Sequence, residues 1–215
     1  MNSLNKDKFE LRCLSKEDVP ITKDLMLNYF IPYLPLYDTF KVKRVDVKAR
    51  VSNRVEETCD SGLSAGCFEK SSGKLVGALL CKIYDDTSGP LATNNPPELT
   101  AMIKFLTWLK RDLPQALNAK KISSQAIVAV DPEYARNGIY QALSEKCDQL
   151  AKSAGCDYVA SQLVSIYTVK GSQKIGRKVL REVYYTDYRD PDTNEQPDMD
   201  FSSIHNFAQL VYNKL

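Results

Sequence analysis

Histidine is nearly absent from this chain, since His205 is the only one among 215 residues. Metal centres built on several imidazoles are therefore excluded, and we expect no Ser-His-Asp triad. His205 could serve as a general base only if the fold brings it to face a substrate.

Paired cysteine motifs are also missing. The six cysteines never occur as C-x-x-C, and most of them lie within apolar runs. Such residues behave as small buried hydrophobic side chains in a reducing compartment, so we expect neither disulfides nor a zinc site. The six positions are Cys13, Cys59, Cys67, Cys81, Cys147 and Cys156.

Long apolar runs and basic runs are absent as well. No stretch approaches the length of a membrane span, and the first residues lack the apolar core of a signal peptide. The net charge is +2, with 43% hydrophobic and 26% charged residues. We expect a cytoplasmic globular protein that binds neither nucleic acid nor membrane, folded as a single domain over residues 1–215.

The hydrophobic pattern alternates between strand and helix periods and predicts an α/β (α+β) fold. We expect a flexible N-terminus over residues 1–8 and a mobile, polar and acidic loop over 188–203. The predicted strands are 9–14, 63–69, 74–84, 126–130, 158–162, 178–185 and 205–212. The predicted helices are 15–30, 42–60, 98–118, 139–154 and 165–174 or 168–174, with an aromatic and proline-rich break at 31–40 and a loop at 85–97.

The most informative stretch is Gln125–Leu143. Its apolar β-branched run predicts a strand buried on both faces, and Asp131-Pro132 ends that strand because proline has no N–H for the ladder. A helical apolar face follows from Ile139. This strand, turn and helix aim backbone N–H groups and the positive end of a helix dipole at one point, where Gly138 allows an anion close to the backbone. The sequence therefore predicts a phosphate or diphosphate site, although a strand, turn and helix with one glycine is also common in structural α/β units.

Residues 128–143 read Val-Ala-Val-Asp-Pro-Glu-Tyr-Ala-Arg-Asn-Gly-Ile-Tyr-Gln-Ala-Leu. This segment resembles the acetyl-CoA signature of the GNAT superfamily of N-acetyltransferases. The order of predicted elements is similar to the GNAT arrangement over almost the whole chain. Three further segments resemble the insect-type arylalkylamine N-acetyltransferases: Cys59-Asp-Ser-Gly-Leu-Ser-Ala-Gly, Ile166-Tyr-Thr-Val-Lys-Gly-Ser-Gln-Lys-Ile-Gly-Arg177 and the strand from Val179. The resemblance implies one domain with a central mixed, mostly antiparallel twisted sheet flanked by helices.

The resemblance also implies acetyl-CoA as co-substrate and no metal. Its diphosphate would be held by the backbone N–H groups of Arg136, Asn137, Gly138, Ile139 and Tyr140. The pantetheine arm would pair with the strand edge at Val128, Ala129 and Val130. Thr168 falls on a hydroxyl position near the cofactor sulfur, and as an alternative it is simply a helix N-cap. Ser172, one turn further, faces either the cofactor or solvent.

Four positions depart from the family pattern. Ala135 replaces a Gln or Arg, Tyr140 a small residue, and Arg177 a phenylalanine. Leu34 falls where the family has a glutamate base, and a leucine cannot accept a proton. Asp38 is the substitute we predict for that base, with Tyr33 and Tyr37 as alternatives in the same loop.

Two functional hypotheses remain open. The first is an N-acetyltransferase that acetylates a small, arylalkylamine-like primary amine by direct transfer in a ternary complex, as a monomer or weak dimer. Its predicted amine pocket comprises Tyr29, Phe30, Tyr33, Leu34 and Tyr37, with a wall from the helix at 98–118, because aromatic walls suit a cationic aryl substrate. The second is an acyl-CoA-binding GNAT-like protein whose catalysis is weak or lost.

Overall fold

A computed structural model of the chain describes residues 4–85 and 94–215. Seven strands form one sheet: β1 Phe9–Cys13, β2 Ala65–Glu69, β3 Leu75–Ile83, β4 Ile122–Val130, β5 Tyr158–Leu163, β6 Lys178–Tyr184 and β7 Phe207–Lys214. The described α-helices are α1 Val19–Leu25, α2 Pro35–Thr39, α3 Arg44–Cys59, α4 Pro97–Leu109, α5 Leu113–Leu117, α6 Ile139–Ser153 and α7 Ile166–Lys174. A π-helical turn, Met26–Phe30, continues α1.

The strand order across the sheet is β1-β2-β3-β4-β5-β7-β6. Every neighbouring pair is antiparallel except β4 and β5, which run parallel and are joined by α6. A parallel pair needs a crossover connection of this kind, because a tight hairpin can join only antiparallel strands. The expected mixed, mostly antiparallel sheet flanked by helices is confirmed.

Two hydrophobic clusters cover the two faces of the sheet. Residues of α1 to α5 pack on one face around Phe40, Phe105 and Tyr185. On the other face, α6 buries Ile139, Leu143, Cys147 and Ala151 against β1 to β3. The helical spacing of these α6 residues is the pattern that the sequence shows after Gly138.

Two sequence-based assignments are corrected. The helix predicted over 98–118 is two helices, because Asp112 adopts a left-handed φ of 53° and Pro114 has no N–H to continue the α4 ladder. The predicted break at 31–40 contains the short helix α2. The stretch 188–203 has no helix or strand, in agreement with the predicted loop, and Tyr188 at its start is fully buried against Phe105 and Trp108.

All six cysteines are free thiols, and five of them are buried. Among residues 4–85 and 94–215, no helix is both long and apolar enough to cross a membrane. The predicted loop at 85–97 lies largely outside the described residues.

Candidate active site

A cleft opens where β4 and β5 separate. These strands pair only from Ile122 with Tyr158 to Gln125 with Ser161, and beyond that point both continue without pairing to each other. The gap is the mouth of a cavity of about 440 Å³. Its β4 wall is the segment Ala126–Val130, which pairs with β3 on one side and turns its other edge to the cleft.

Gln125 and Ser161 join β4 and β5 at the end of the gap where the two strands are still paired, and we call these two residues the clasp. The Ser161 hydroxyl donates to Gln125 Oε1 at 2.7 Å, across the last paired position of the two strands. Gln125 Nε2 donates in turn to Asp148 of α6 at 3.2 Å. Asp148 also forms a 2.7 Å ion pair with Arg177, whose side chain is only 3% exposed. Arg177, a departure from the family pattern, is thus a buried partner of α6.

The turn before α6 exposes a row of backbone donors. Arg136 and Gly138 both have left-handed φ angles, 64° and 74°. The Asn137 side chain donates to the carbonyl of Tyr134 at 3.0 Å, which stabilises the turn. No residue in the described part of the chain accepts a hydrogen bond from the N–H groups of residues 137–141, and the first helical bond runs from Ala142 to Gly138. Such a row at the head of a 15-residue helix favours an anion.

The strand end that leads to this turn is held by Asp131. Its buried carboxylate accepts from the N–H of Glu133 at 3.0 Å and forms a 2.8 Å ion pair with Lys74. Burial opposes the charged form, but the Lys74 ammonium and the Glu133 N–H prevail and lower the Asp131 pKa. The end of β4 and the N–H row are therefore fixed relative to each other.

Five of the ten predicted cofactor-binding residues line the cavity: Val128, Ala129, Val130, Tyr140 and Thr168. Arg136, Asn137 and Gly138 form the turn at the head of α6 and do not line the cavity itself. The Ile139 side chain is buried towards Gly77 of β3, so only its backbone faces the turn. Ser172 is buried outside the cavity surface.

Thr168 and Ser165 differ in their roles at α7. Ser165 is the N-cap, since its hydroxyl accepts from the N–H of Tyr167 at 3.3 Å. Thr168 lies in the first turn of the helix and its hydroxyl donates to the Ser165 carbonyl at 2.8 Å. The alternative assignment of Thr168 as the N-cap is wrong, and its side chain lines the cavity.

The opposite wall is aromatic and aliphatic. The π-helical turn places Tyr29 and Phe30 on the cavity, joined by Tyr33 and Leu34 from the next segment and Leu106 from α4. Single π-turns of this kind occur frequently at functional sites. Four of the five predicted pocket residues are therefore brought together.

Tyr37, the fifth, does not line the cavity. It is buried behind the wall with its ring edge against Phe30, and burial raises its pKa to about 12. A phenol with that pKa does not accept a proton as phenolate near neutral pH.

Asp38, the predicted base, is not part of the cavity lining. Its exposed carboxylate forms a 2.7 Å ion pair with Arg44 on the surface. The sequence placed Asp38 in the right loop, but α2 turns its side chain outward. This position corrects its assignment as the catalytic base.

His205 is used structurally. Its Nδ1 accepts a hydrogen bond from the N–H of Ile166 at 3.1 Å, at the head of α7, and burial lowers its pKa. It does not line the cavity. The cavity lining contains no carboxylate and no imidazole within residues 4–85 and 94–215.

Sequence reasoning missed the Gln125–Ser161 clasp and Gly171. The clasp depends on strand register, which the sequence does not give. Gly171 did carry a signal, because a glycine inside a helix costs about 1 kcal/mol relative to alanine and suggests a packing reason. The packing reason is the Tyr140 ring, which lies against Gly171.

Several solved structures have a fold similar to that of this chain. No family model and no curated protein sequence matches the chain. A mosquito arylalkylamine N-acetyltransferase-like protein (5b) superposes with a TM-score of 0.80 at 17% identity, over 96% of this chain and all of that one. A Drosophila melanogaster polyamine N-acetyltransferase gives 0.78 at 15%, over 96% of this chain and all of that one. The C-terminal condensation domain of Ebony, solved with β-alanyl-dopamine, gives 0.78 at 15%, over 97% and 99%.

These similarities extend over nearly the full length of each chain, whereas sequence identity is low. The sequence-based resemblance is therefore confirmed at the level of fold: the chain has the GNAT fold, in the form shared with the insect arylalkylamine and polyamine N-acetyltransferases.

Proposed function

We propose that this protein is an acetyl-CoA-dependent N-acetyltransferase that acetylates a small primary amine by direct transfer in a ternary complex. The observation that carries the proposal is the row of N–H groups at residues 137–141, adjoining the free edge of β4. The two features match the two parts of a CoA molecule, an anionic diphosphate and an extended amide-containing arm.

The cleft residues supply binding and orientation. The edge of Ala126–Val130 offers backbone donors and acceptors to an extended chain, which would align a thioester with the cleft. Backbone N–H groups on that edge can also polarise a thioester carbonyl. Thr168, which lines the cavity from α7, is the candidate to contact the leaving sulfur.

The aromatic wall supports an arylalkylamine-like substrate. Tyr29, Phe30 and Tyr33 line the cavity, and aromatic rings suit an aryl group and a nearby ammonium. We propose that the amine loses its proton to solvent water, because the described cavity lining has no carboxylate or imidazole. The names of two similar solved proteins contain the same substrate class, arylalkylamine, whereas a third is a polyamine N-acetyltransferase.

The absence of a carboxylate or imidazole from the described cavity lining favours a second candidate, an acyl-CoA-binding protein with weak catalysis. The Tyr140 side chain supports it too, because it occupies a position next to the diphosphate site. The two candidates share the ligand and differ in turnover.

Ligand binding is tested by thermal unfolding with and without CoA. A ligand that binds only the folded state raises the melting temperature by mass action. Gly138→Asp should abolish the rise, because it adds a Cβ at a left-handed position and a negative charge beside the N–H row. Gly155→Asp is the matched control, since Gly155 has a φ of 75° but lies after the far end of α6. The absence of a rise in the unmodified protein would refute CoA binding.

A further inference from the structure

The Tyr140 ring packs between the start of α6 and Gly171 of α7, and we call this position the seat. Tyr140 is the second residue of α6, and its ring lies against Gly171 of α7. A Cβ at position 171 would be only 2.6 and 2.7 Å from two ring carbons of Tyr140. The ring therefore takes the space that any side chain at 171 would need.

Two buried serines lie at the polar end of this seat. Burial raises the pKa of the Tyr140 hydroxyl, and Ser144, the charge of Arg177 and Ser172 offset only part of the rise. Both serine hydroxyls are fully buried, and neither has a hydrogen-bond partner in the described part of the chain. Neither serine therefore holds the Tyr140 ring in place through a well-formed hydrogen bond.

The seat lies on the route between the two features that the proposed function requires. Tyr140 directly follows the turn that carries the N–H row, and its side chain lines the same cavity as Val130 and Thr168. An extended ligand that reaches from the N–H row to the β4 edge has to pass this ring. A small residue at this position would leave the route open.

We propose that Tyr140 is the residue that limits entry of the acyl donor: its ring closes the route while it lies against Gly171 and has to leave that seat when a CoA thioester binds. This inference rests on the proposed function. The closed state weakens CoA binding. When a ligand binds only the open state, its apparent Kd equals the intrinsic Kd divided by the fraction of protein in the open state.

The test is equilibrium binding of CoA to four variants, with thermal unfolding to verify that each is folded. Tyr140→Ala removes the ring and should lower the Kd for CoA by about 10-fold or more, which corresponds to an open state that makes up about one tenth or less of the unmodified protein. Tyr140→Phe keeps the ring and should bind with a Kd close to that of the unmodified protein, which separates the ring from its hydroxyl.

Gly171→Ala tests the seat itself. In the presence of Tyr140 the added Cβ displaces the ring and favours the open state, so the Kd for CoA should fall by more than about threefold. In the Tyr140→Ala background the same substitution meets no ring, and its effect should fall below about twofold. This double-mutant comparison keeps the test informative even if one single variant is unstable.

The outcomes separate the two proposals. If the unmodified protein binds CoA and Tyr140→Ala binds no more tightly, the entry role of Tyr140 is refuted while CoA binding stands. If Gly171→Ala has the same effect with and without the Tyr140 ring, the seat is not the controlling element. If neither the unmodified protein nor Tyr140→Ala binds CoA, both the entry role and the proposed function fail.

Discussion

At the scale of single residues, the central question is where the amine proton goes. Leu34 lines the cavity but cannot accept a proton, Asp38 is paired with Arg44 outside it, and Tyr37 is held protonated by burial. The described lining offers only neutral polar groups, such as Gln141, in addition to its aromatic and aliphatic side chains. Under the proposed function, the substrate amine therefore has to arrive already deprotonated or lose its proton to water.

Leu34→Glu should restore a side-chain base. Because position 34 faces the cavity, we expect the rate of amine acetylation near neutral pH to rise by about two to four powers of ten, the usual contribution of a general base. The measurement is a pH–rate profile with one arylalkylamine at saturating acetyl-CoA. Asp38→Asn is the control and should leave the profile unchanged, because its carboxylate faces solvent. A gain below about tenfold for Leu34→Glu would mean that the new carboxylate does not reach the amine.

At the scale of secondary-structure elements, the π-helical turn and its neighbours depend on how β1 is joined to the first helix. Arg12 of β1 forms a bidentate pair with Asp18 at 2.7 and 2.6 Å, and the Ser15 N–H donates to the same carboxylate at 3.0 Å. Asp18 is 6% exposed at its side chain, while Arg12 is 41% exposed. This pair attaches the start of the α1 region to the sheet.

Asp18→Asn should reduce the free energy of unfolding by about 1–2 kcal/mol at pH 7, a charged hydrogen bond discounted for the solvent exposure of Arg12. The hydrogen bonds from Arg12 lower the Asp18 pKa in the folded state, so its contribution is present above the unfolded value of about 3.9. It is lost as the pH falls through the folded pKa, where the two proteins should converge. Denaturant unfolding between pH 3 and 7 measures this difference.

Asp60→Asn is the matched control for that series. Asp60 pairs with Lys16 at 3.2 Å, but both side chains are more than half exposed. Exposed pairs contribute about 0–1 kcal/mol, so this variant should differ little from the unmodified protein at any pH. If both variants lose the same free energy of unfolding, the Arg12–Asp18 pair contributes no more stability than the exposed Lys16–Asp60 pair.

The sequence predicted these elements unevenly, for physical reasons. The α6 face and the Gly138 turn follow from periodicity and from one residue without a Cβ, both of which are local. The break between α4 and α5 depends on Asp112 adopting a left-handed φ, which its residue type does not reveal. The side of the α2 loop on which Asp38 lies is set by the burial of Leu36 and Tyr37 against the core, a tertiary effect.

At the scale of the whole molecule, the proposed function depends on two strands, β4 and β5, that pair in parallel over four residues each and then separate. The clasp of Gln125 and Ser161 closes one end of the gap, and α6 and α7 bound the other. The order of elements in the sequence was sufficient to predict this fold, because the resemblance extends along the chain. The walls of the cavity were predictable only where the responsible segments are contiguous, as in Ala126–Val130.

The most direct test of the account is release of the CoA thiol from acetyl-CoA, measured against a panel of arylalkylamines, polyamines and amino acids between pH 7 and 10. We expect thiol release that requires an arylalkylamine and rises about tenfold per pH unit towards the amine pKa of about 10, because the free amine is the reacting form and no side-chain base is supplied. Gly138→Asp should abolish it and Gly155→Asp should not. Amine-independent release, or no release with any amine at any pH from a protein that binds CoA, would contradict the assignment as an N-acetyltransferase.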